Sequence, residues 1–261
     1  GREMELNMGT WNTEEAIRRW NMHAENFTAK YTEEGDRSRE VLLNPALQEC
    51  MGLIAGKRVL DAGCGEGYLS RKMARAGALV EAVDYSTEML RLAKERTPSA
   101  LGITYHHGNL EKLEMFGDQS FDLIVSNMVI QDLAHYEQAI AEMQRLLVPG
   151  GRFIFSILHP CFLTPQSGWV KDETGKKLYW KVDQYFNEGP LEQAIPYDQE
   201  EKLLYFHRTL GSYVQTIFEA GLLLDGMAEP KPSADMLEKY PHFREDLNVS
   251  NFLIFKTQRQ G

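Results

Sequence analysis

The sequence predicts an α/β fold, a mostly parallel sheet covered by helices on both faces. From Lys57 onward, short apolar runs alternate with stretches of helical periodicity, the pattern of parallel strands joined by crossover helices. Leu123-Ile124-Val125 and Phe153-Ile154-Phe155 are continuously apolar, as strands buried on both faces are. Between the first such run and the next helical pattern lies Asp61-Ala62-Gly63-Cys64-Gly65-Glu66-Gly67-Tyr68. Glycines at a strand-to-helix turn let the backbone bend sharply and let a ligand approach it closely.

The elements follow in order. Asn12-Thr13-Glu14-Glu15 offers an N-cap with acids in the first turn, and Ala16, Ile17, Trp20, His23, Ala24 and Phe27 recur at helical spacing. After a break at Tyr31–Gly35, Asp36 is placed to cap a second helical stretch carrying Val41, Leu42, Leu47 and Met51, interrupted near Asn44-Pro45. Both stretches precede the first strand and are expected to fold over its carboxyl end. Strands are expected near Arg58–Asp61, Leu79–Asp84, Ile103–His107, Phe121–Ser126 and Gly151–Leu158. Helices are expected near Gly67–Ala76, Thr87–Arg96, Met128–Ala134 and Tyr136–Leu147, with Val148-Pro149-Gly150-Gly151 as a turn before the fifth strand.

Cys161–Glu201 breaks the rhythm with Phe162, Trp169, Tyr179, Trp180, Tyr185, Phe186 and Tyr197 among charges and turn residues. Its length suits a lid. Leu203–Gly221 reads as a short strand and a helix, and Leu222–Met227 with Asn251–Lys256 as a final antiparallel pair at the sheet edge. The division expected is a helical cover over 1–56, a core over 57–160, an inserted lid over 161–206 and completion of the sheet over 207–261.

With 261 residues and 43% hydrophobic content, one α/β domain with an appended lid fits. A net charge of −10 opposes a nucleic-acid or anionic-membrane surface. No apolar run approaches the roughly 20 residues that span a bilayer, and no basic segment followed by an apolar core opens the chain. Cys50, Cys64 and Cys161 are far apart and odd in number, as in a reducing cytoplasm. No metal site is expected, since neither these cysteines nor the histidines have ligand spacing.

A ligand of an open α/β sheet sits beyond the carboxyl ends of the strands. Those ends carry Asp61–Gly67, Asp84-Tyr85-Ser86, Gly108-Asn109-Leu110, Ser126-Asn127-Met128 and His159-Pro160-Cys161. Asp84 either accepts hydrogen bonds from ribose hydroxyls or caps the following helix. The spacing Gly63-x-Gly65-x-Gly67 departs from the G-x-G-x-x-G of dinucleotide binders.

Val59 to about Leu158 resembles the core of class I S-adenosylmethionine (SAM)-dependent methyltransferases of the small-molecule type. The resemblance implies a Rossmann-like seven-stranded sheet, SAM as cofactor and S-adenosylhomocysteine as product. It places the methionine part at Gly63, Cys64 and Gly65, with Asp61 steering the amino group. It places the ribose on Asp84, Tyr85 against the adenine, and Asn109 with Leu110 at the adenine amino group. Asn109 stands where aspartate is common, and its amide oxygen can still accept that hydrogen bond. Ser126 and Asn127 would abut the methionine. In similar enzymes the preceding helices close over SAM, so Tyr31 and Arg39 are candidates for the methionine carboxylate; Arg39 could equally pair with Asp36 or Glu40.

For an acceptor that carries a proton, His159 is the first candidate base and His207 the second. His159 could instead orient the lid, and His207 could cap the helix after it. Nothing activates Cys161. The function expected is methyl transfer to an oxygen or nitrogen of a small organic acceptor in the cytoplasm, without nucleic-acid or membrane partners. A non-catalytic SAM-binding regulatory protein and an NAD-dependent oxidoreductase are the alternatives. The sequence does not address oligomeric state.

Overall fold

The computed structural model describes residues 11–195 and 198–261; residues 1–10 of the helical cover and Tyr197 of the aromatic insertion lie outside the described residues. The strands are β1 (Arg58–Ala62), β2 (Leu79–Asp84), β3 (Thr104–His107), β4 (Phe121–Asn127) and β5 (Leu147–Leu158), then β6 (Gln166–Lys171), β7 (Lys177–Asp183), β8 (Gly189–Ile195), β9 (Asp198–His207), β10 (Leu222–Ala228) and β11 (Phe252–Arg259). The helices are α1 (Thr13–Thr28), α2 (Asn44–Met51), α3 (Tyr68–Arg75), α4 (Thr87–Arg96), α5 (Tyr136–Leu146), α6 (Leu210–Glu219) and α7 (Ala234–Lys239). Seven strands form one sheet in the order β10-β11-β5-β4-β1-β2-β3. β11 is antiparallel to both neighbours and the other pairings are parallel.

Alternate residues of the central strands face opposite layers. Leu60, Ile124, Phe153 and Phe155 pack with Ile140 and Met143 of α5 and Tyr213 and Ile217 of α6. Val59, Val125 and Ile154 pack with Leu47 of α2 and Leu69 and Met73 of α3. Each such side chain contributes roughly 1.5–3 kcal/mol by leaving water, enough to hold the strand ends that form the site as one rigid edge. From β1 the chain fills the sheet outward through β2 and β3, then returns to β4 on the other side. That reversal between β1 and β4 is where such sheets open a crevice.

The sequence reading holds for the strands and most helices and departs from the structure in three places. Met128–Ala134 forms only a 3₁₀ turn over Ile130–Asp132. Met128 is left-handed, at φ 62°, and the carbonyls of Leu133 and Ala134 receive the buried guanidinium of Arg208, which also reaches Ile130 O beside the Leu133 amide. Val148–Gly151 lies inside β5, with a register shift opposite Phe121/Leu123. Asn44-Pro45 does not interrupt the second helical stretch: a π turn over Arg39–Leu43 runs directly into α2, whose first turn tolerates a missing amide hydrogen.

The insertion forms two antiparallel hairpins, β6–β7 and β8–β9. The second is tied to α1 by Arg19, which reaches Glu192 at 2.8 Å, and by Leu204 and Phe206 packed with Ala16. α1 itself lies over α4 through Ala24, Met89 and Leu92.

Candidate functional site

Gly63, Gly65 and Gly67 join β1 to α3 at φ values of 86°, 53° and 90°, which L-side chains rarely adopt. The amides of Gly63 and Cys64 donate to Val83 O at 2.8 and 3.0 Å, pinning the turn to β2. Gly65 then donates its amide to Asp84 Oδ2 at 2.8 Å, while the Ser86 amide donates to Asp84 Oδ1 at 2.8 Å. A Cβ on Gly63 would come within 2.4 Å of the Val129 side chain, whereas one on Gly65 would meet only Met89 Sδ at 4.0 Å. Gly63 therefore lets β4's loop close on the turn, and Gly65 leaves backbone bare to the crevice. Gly63→Ala is expected to cost about 1–3 kcal/mol through overpacking, read as a lower thermal unfolding midpoint.

The crevice is a cleft of about 830 Å³, counting the space at its mouth. Tyr31, Arg39, Asp61, Gly63, Cys64, Gly65, Asp84, Tyr85, Asn109, Leu110 and Asn127 all line it. Asp61 is 1% exposed and accepts a hydrogen bond from Ser70 Oγ at 2.6 Å. Burial pushes its carboxyl up to about 7, against the opposing pull of Ser70. Burial likewise raises the Asp84 carboxyl, while the amides of Ser86 and Gly65 hold it back.

Hydrogen bonds fix the end of the wall nearest α2. Ser156 Oγ donates to Asn127 Oδ1 at 2.6 Å, Asn127 Nδ2 to the Tyr68 hydroxyl at 2.8 Å, and that hydroxyl to Asn44 Oδ1 at 3.0 Å. Tyr31 packs edge-on to Tyr68, and Arg39 lies over the Tyr31 ring while ion-paired to Asp36 at 2.8 Å. At the other end Tyr85 stacks on His107. Asn109 is held by Glu111, whose amide donates to Asn109 Oδ1 at 3.0 Å; the oxygen keeps a second lone pair for a ligand.

Three residues singled out in the sequence do not reach the cleft. Ser126 is fully buried and donates to Ala62 O at 2.8 Å, so it ties β4 to β1. His159 is committed at both ring nitrogens: Nε2 lies 2.6 Å from Glu229 Oε2, and Nδ1 accepts the Cys161 amide at 3.2 Å. Its position at the end of β5 places it beside β10 and β11 rather than on the cleft wall. His207 Nε2 lies 2.7 Å from Tyr185 O and lines a separate small pocket with Gln131, Arg208 and Tyr213.

Residues that periodicity alone hides complete the wall. Ile17, Trp20 and Phe27 come from the cover helix, and Met128, Val129, Asp132 and Leu133 from the loop after β4. Tyr68 stands next to the glycine turn and was legible as a neighbour of the motif. The helical spacing of Trp20 marks an apolar face and not a site, and Asp132 carries no spacing signal; only the docking of α1 on the sheet edge brings the two together.

The residues present fit SAM. Bare backbone at Gly65, which a side chain would fill, and an acid lining the cleft at the end of each flanking strand are what a zwitterionic amino acid joined to a ribose requires. A sheet of this order with such a site at its switch point defines a Rossmann-like methyltransferase fold. Residues 60–155 match the family described as Methyltransferase domain. A solved SAM-dependent methyltransferase from Mesorhizobium loti is 28% identical, with a TM-score of 0.75 over 87% of this chain and 100% of that one. A solved protein from Listeria monocytogenes is 29% identical, with a TM-score of 0.73 over 83% of this chain and 96% of that one. A malonyl-[acyl-carrier protein] O-methyltransferase from Erwinia billingiae is 41% identical over 103 residues, 40% of this chain and 39% of that protein. Residues 60–155 are thus a methyltransferase domain, and the fold and its solved relatives are those of class I SAM-dependent methyltransferases, with SAM as cofactor.

Proposed function

We propose that the cleft holds SAM along the carboxyl ends of β1 to β4 and that the enzyme moves its methyl group to an oxygen or nitrogen of a small organic acceptor. The observation that carries this reading is the pair of acids, buried Asp61 and half-buried Asp84, that line the cleft on either side of open glycine backbone. Asp61 holds the methionine ammonium, the amides near Gly63 to Gly65 cradle the amino-acid backbone, and Tyr31 and Arg39 serve its carboxylate. Asp84 takes the ribose hydroxyls, and Tyr85, Asn109 and Leu110 the adenine. SAM when bound supplies a methyl on a sulfonium. The chain's own contribution is orientation and exclusion of water by α1 and the β8–β9 hairpin.

A small acceptor is supported by the net charge of −10, which disfavours nucleic acid, and an oxygen acceptor by the Erwinia relative, named as an O-methyltransferase of malonyl-[acyl-carrier protein]. The three free cysteines, Cys50, Cys64 and Cys161, support action in a reducing cytoplasm. Incubation with methyl-labelled SAM and pooled alcohols, phenols and amines is expected to give labelled product. Binding of SAM with no product from any pool would favour a regulatory role instead.

The Asp61 carboxyl makes binding pH-dependent. A ligand ammonium pairs with the ionised form, so below about pH 7 each unit of pH is expected to weaken SAM binding about tenfold. In the ligand-free protein the sign for stability is opposite. The folded value lies above the ordinary 3.8, so Asp61 contributes stability at acid pH that is lost as pH rises through about 7. Thermal melts between pH 5 and 8 with and without SAM check both signs, and Asp61→Asn is expected to flatten both profiles.

A further inference from the structure

Asp132 is a buried acid in the same cleft that SAM recognition does not use. It ends the 3₁₀ turn after β4, and its amide donates to Val129 O at 2.8 Å. Val129 is the residue packed against Gly63, so Asp132 stands one turn beyond the methionine end of the site. It is 8% exposed and makes no salt bridge among the described residues. Trp20 of α1 lines the same wall, and its indole Nε1 is buried with no hydrogen-bond partner. The indole N–H nevertheless faces the carboxyl closely enough to favour its charged form. The indole N–H and the Asp132 carboxyl face each other without closing a hydrogen bond of ordinary geometry, and this leaves a polar gap in a wall otherwise built of Ile17, Phe27 and Leu133.

The chemistry of that gap is selective. A hydroxyl has one proton and two lone pairs. It can donate to Asp132, accept from Trp20 and keep one lone pair for the methyl group. An amine has a single lone pair, which the Trp20 N–H would occupy. A carboxylate only accepts, so it would face Asp132 without a proton to share. Resting on the methyltransferase reading above, we infer that the acceptor is an alcohol or phenol whose hydroxyl sits between Trp20 and Asp132, and that Asp132 receives its proton. The oxygen–carbon bond forms as the carbon–sulfur bond of the donor breaks, sulfur keeps the electron pair, and the hydroxyl proton passes to the Asp132 carboxylate.

Two features suit Asp132 to that task. Burial raises its carboxyl well above the ordinary value; Asp84 adds to this, and Trp20, Arg208 and Arg39 oppose it. A stronger base than a solvated aspartate results. Arg208 acts as a positioning residue. It is 6% exposed, lies 3.8 Å from the Tyr136 ring centroid, and donates to Ile130 O at 3.3 Å and to Leu133 O. Its charge is spent on fixing the turn that presents Asp132.

Phenol, benzoate and anisole serve as probes of the full chain saturated with S-adenosylhomocysteine, with binding read by ligand-observed NMR at pH 7.5. Phenol is expected to bind at least about tenfold more tightly than benzoate or anisole, the scale of one well-made polar contact. In Asp132→Asn the gap over benzoate is expected to close to about twofold, because the amide carries no charge to repel it. In Trp20→Phe phenol is expected to weaken while benzoate does not. Equal binding of phenol and benzoate by the native protein, absence of phenol binding, or a gap that survives in Asp132→Asn would each overturn the assignment. The native comparison decides the matter even if a variant fails to fold. Saturation with S-adenosylhomocysteine is verified first by calorimetry, so its failure marks the parent reading as wrong and leaves the hydroxyl assignment as a separate result.

Discussion

Glu66→Ala is expected to destabilise the protein by about 3–5 kcal/mol, the cost of leaving a buried charge without its partner. Glu66 sits inside the glycine turn and is 3% exposed. Arg71 Nη2 donates to both of its carboxylate oxygens at 3.0 and 2.8 Å, and Arg96 Nη1 adds a contact at 3.1 Å. The Tyr68 amide also donates to Glu66 Oε1 at 2.8 Å, so the carboxylate caps the start of α3. Arg71 is itself 5% exposed and has no route to water once the acid is gone. Glu66→Gln keeps the shape and the cap, and is expected to cost less. Urea unfolding followed by fluorescence measures both, and a loss below about 1 kcal/mol for Glu66→Ala would mean that the pair is solvated as surface pairs are.

Asp84→Ala is expected to weaken S-adenosylhomocysteine binding by about 1–3 kcal/mol, or roughly fivefold to 150-fold. Two effects add here. The proposed ribose contact is lost, and the amides of Gly65 and Ser86 lose their common acceptor, which loosens the turn itself. Asp84→Asn retains one acceptor oxygen and is expected to fall between. Unchanged affinity in Asp84→Ala would remove this residue from the site.

Much of this was legible in the chain because the signals are local. Leu79–Asp84 and Thr87–Arg96 are found at the bounds the sequence predicts, since a buried β-branched run and a Ser86 N-cap are each contained within a few residues. The acid–glycine turn and Asp84 were equally readable, being strand ends in a parallel sheet. What was not readable depends on contacts far apart in sequence. Met128–Ala134 has helical composition, yet Arg208 supplies the donors that its last carbonyls would otherwise find in a helix. His159 looked well placed beyond β5, but the antiparallel return of β11 and the end of β10 put Glu229 against it. Trp20 and Asp132 share a wall only because α1 docks across the sheet edge, where Asn21 accepts from Ser86 Oγ at 2.6 Å.

The most direct test of the site is calorimetric titration of the native protein with SAM, S-adenosylhomocysteine and NAD in parallel. The structure predicts saturable binding of the first two, about micromolar as cofactor sites of this size and polarity allow, and no heat with NAD. Binding of NAD with silence for S-adenosylhomocysteine would contradict the account of the cleft.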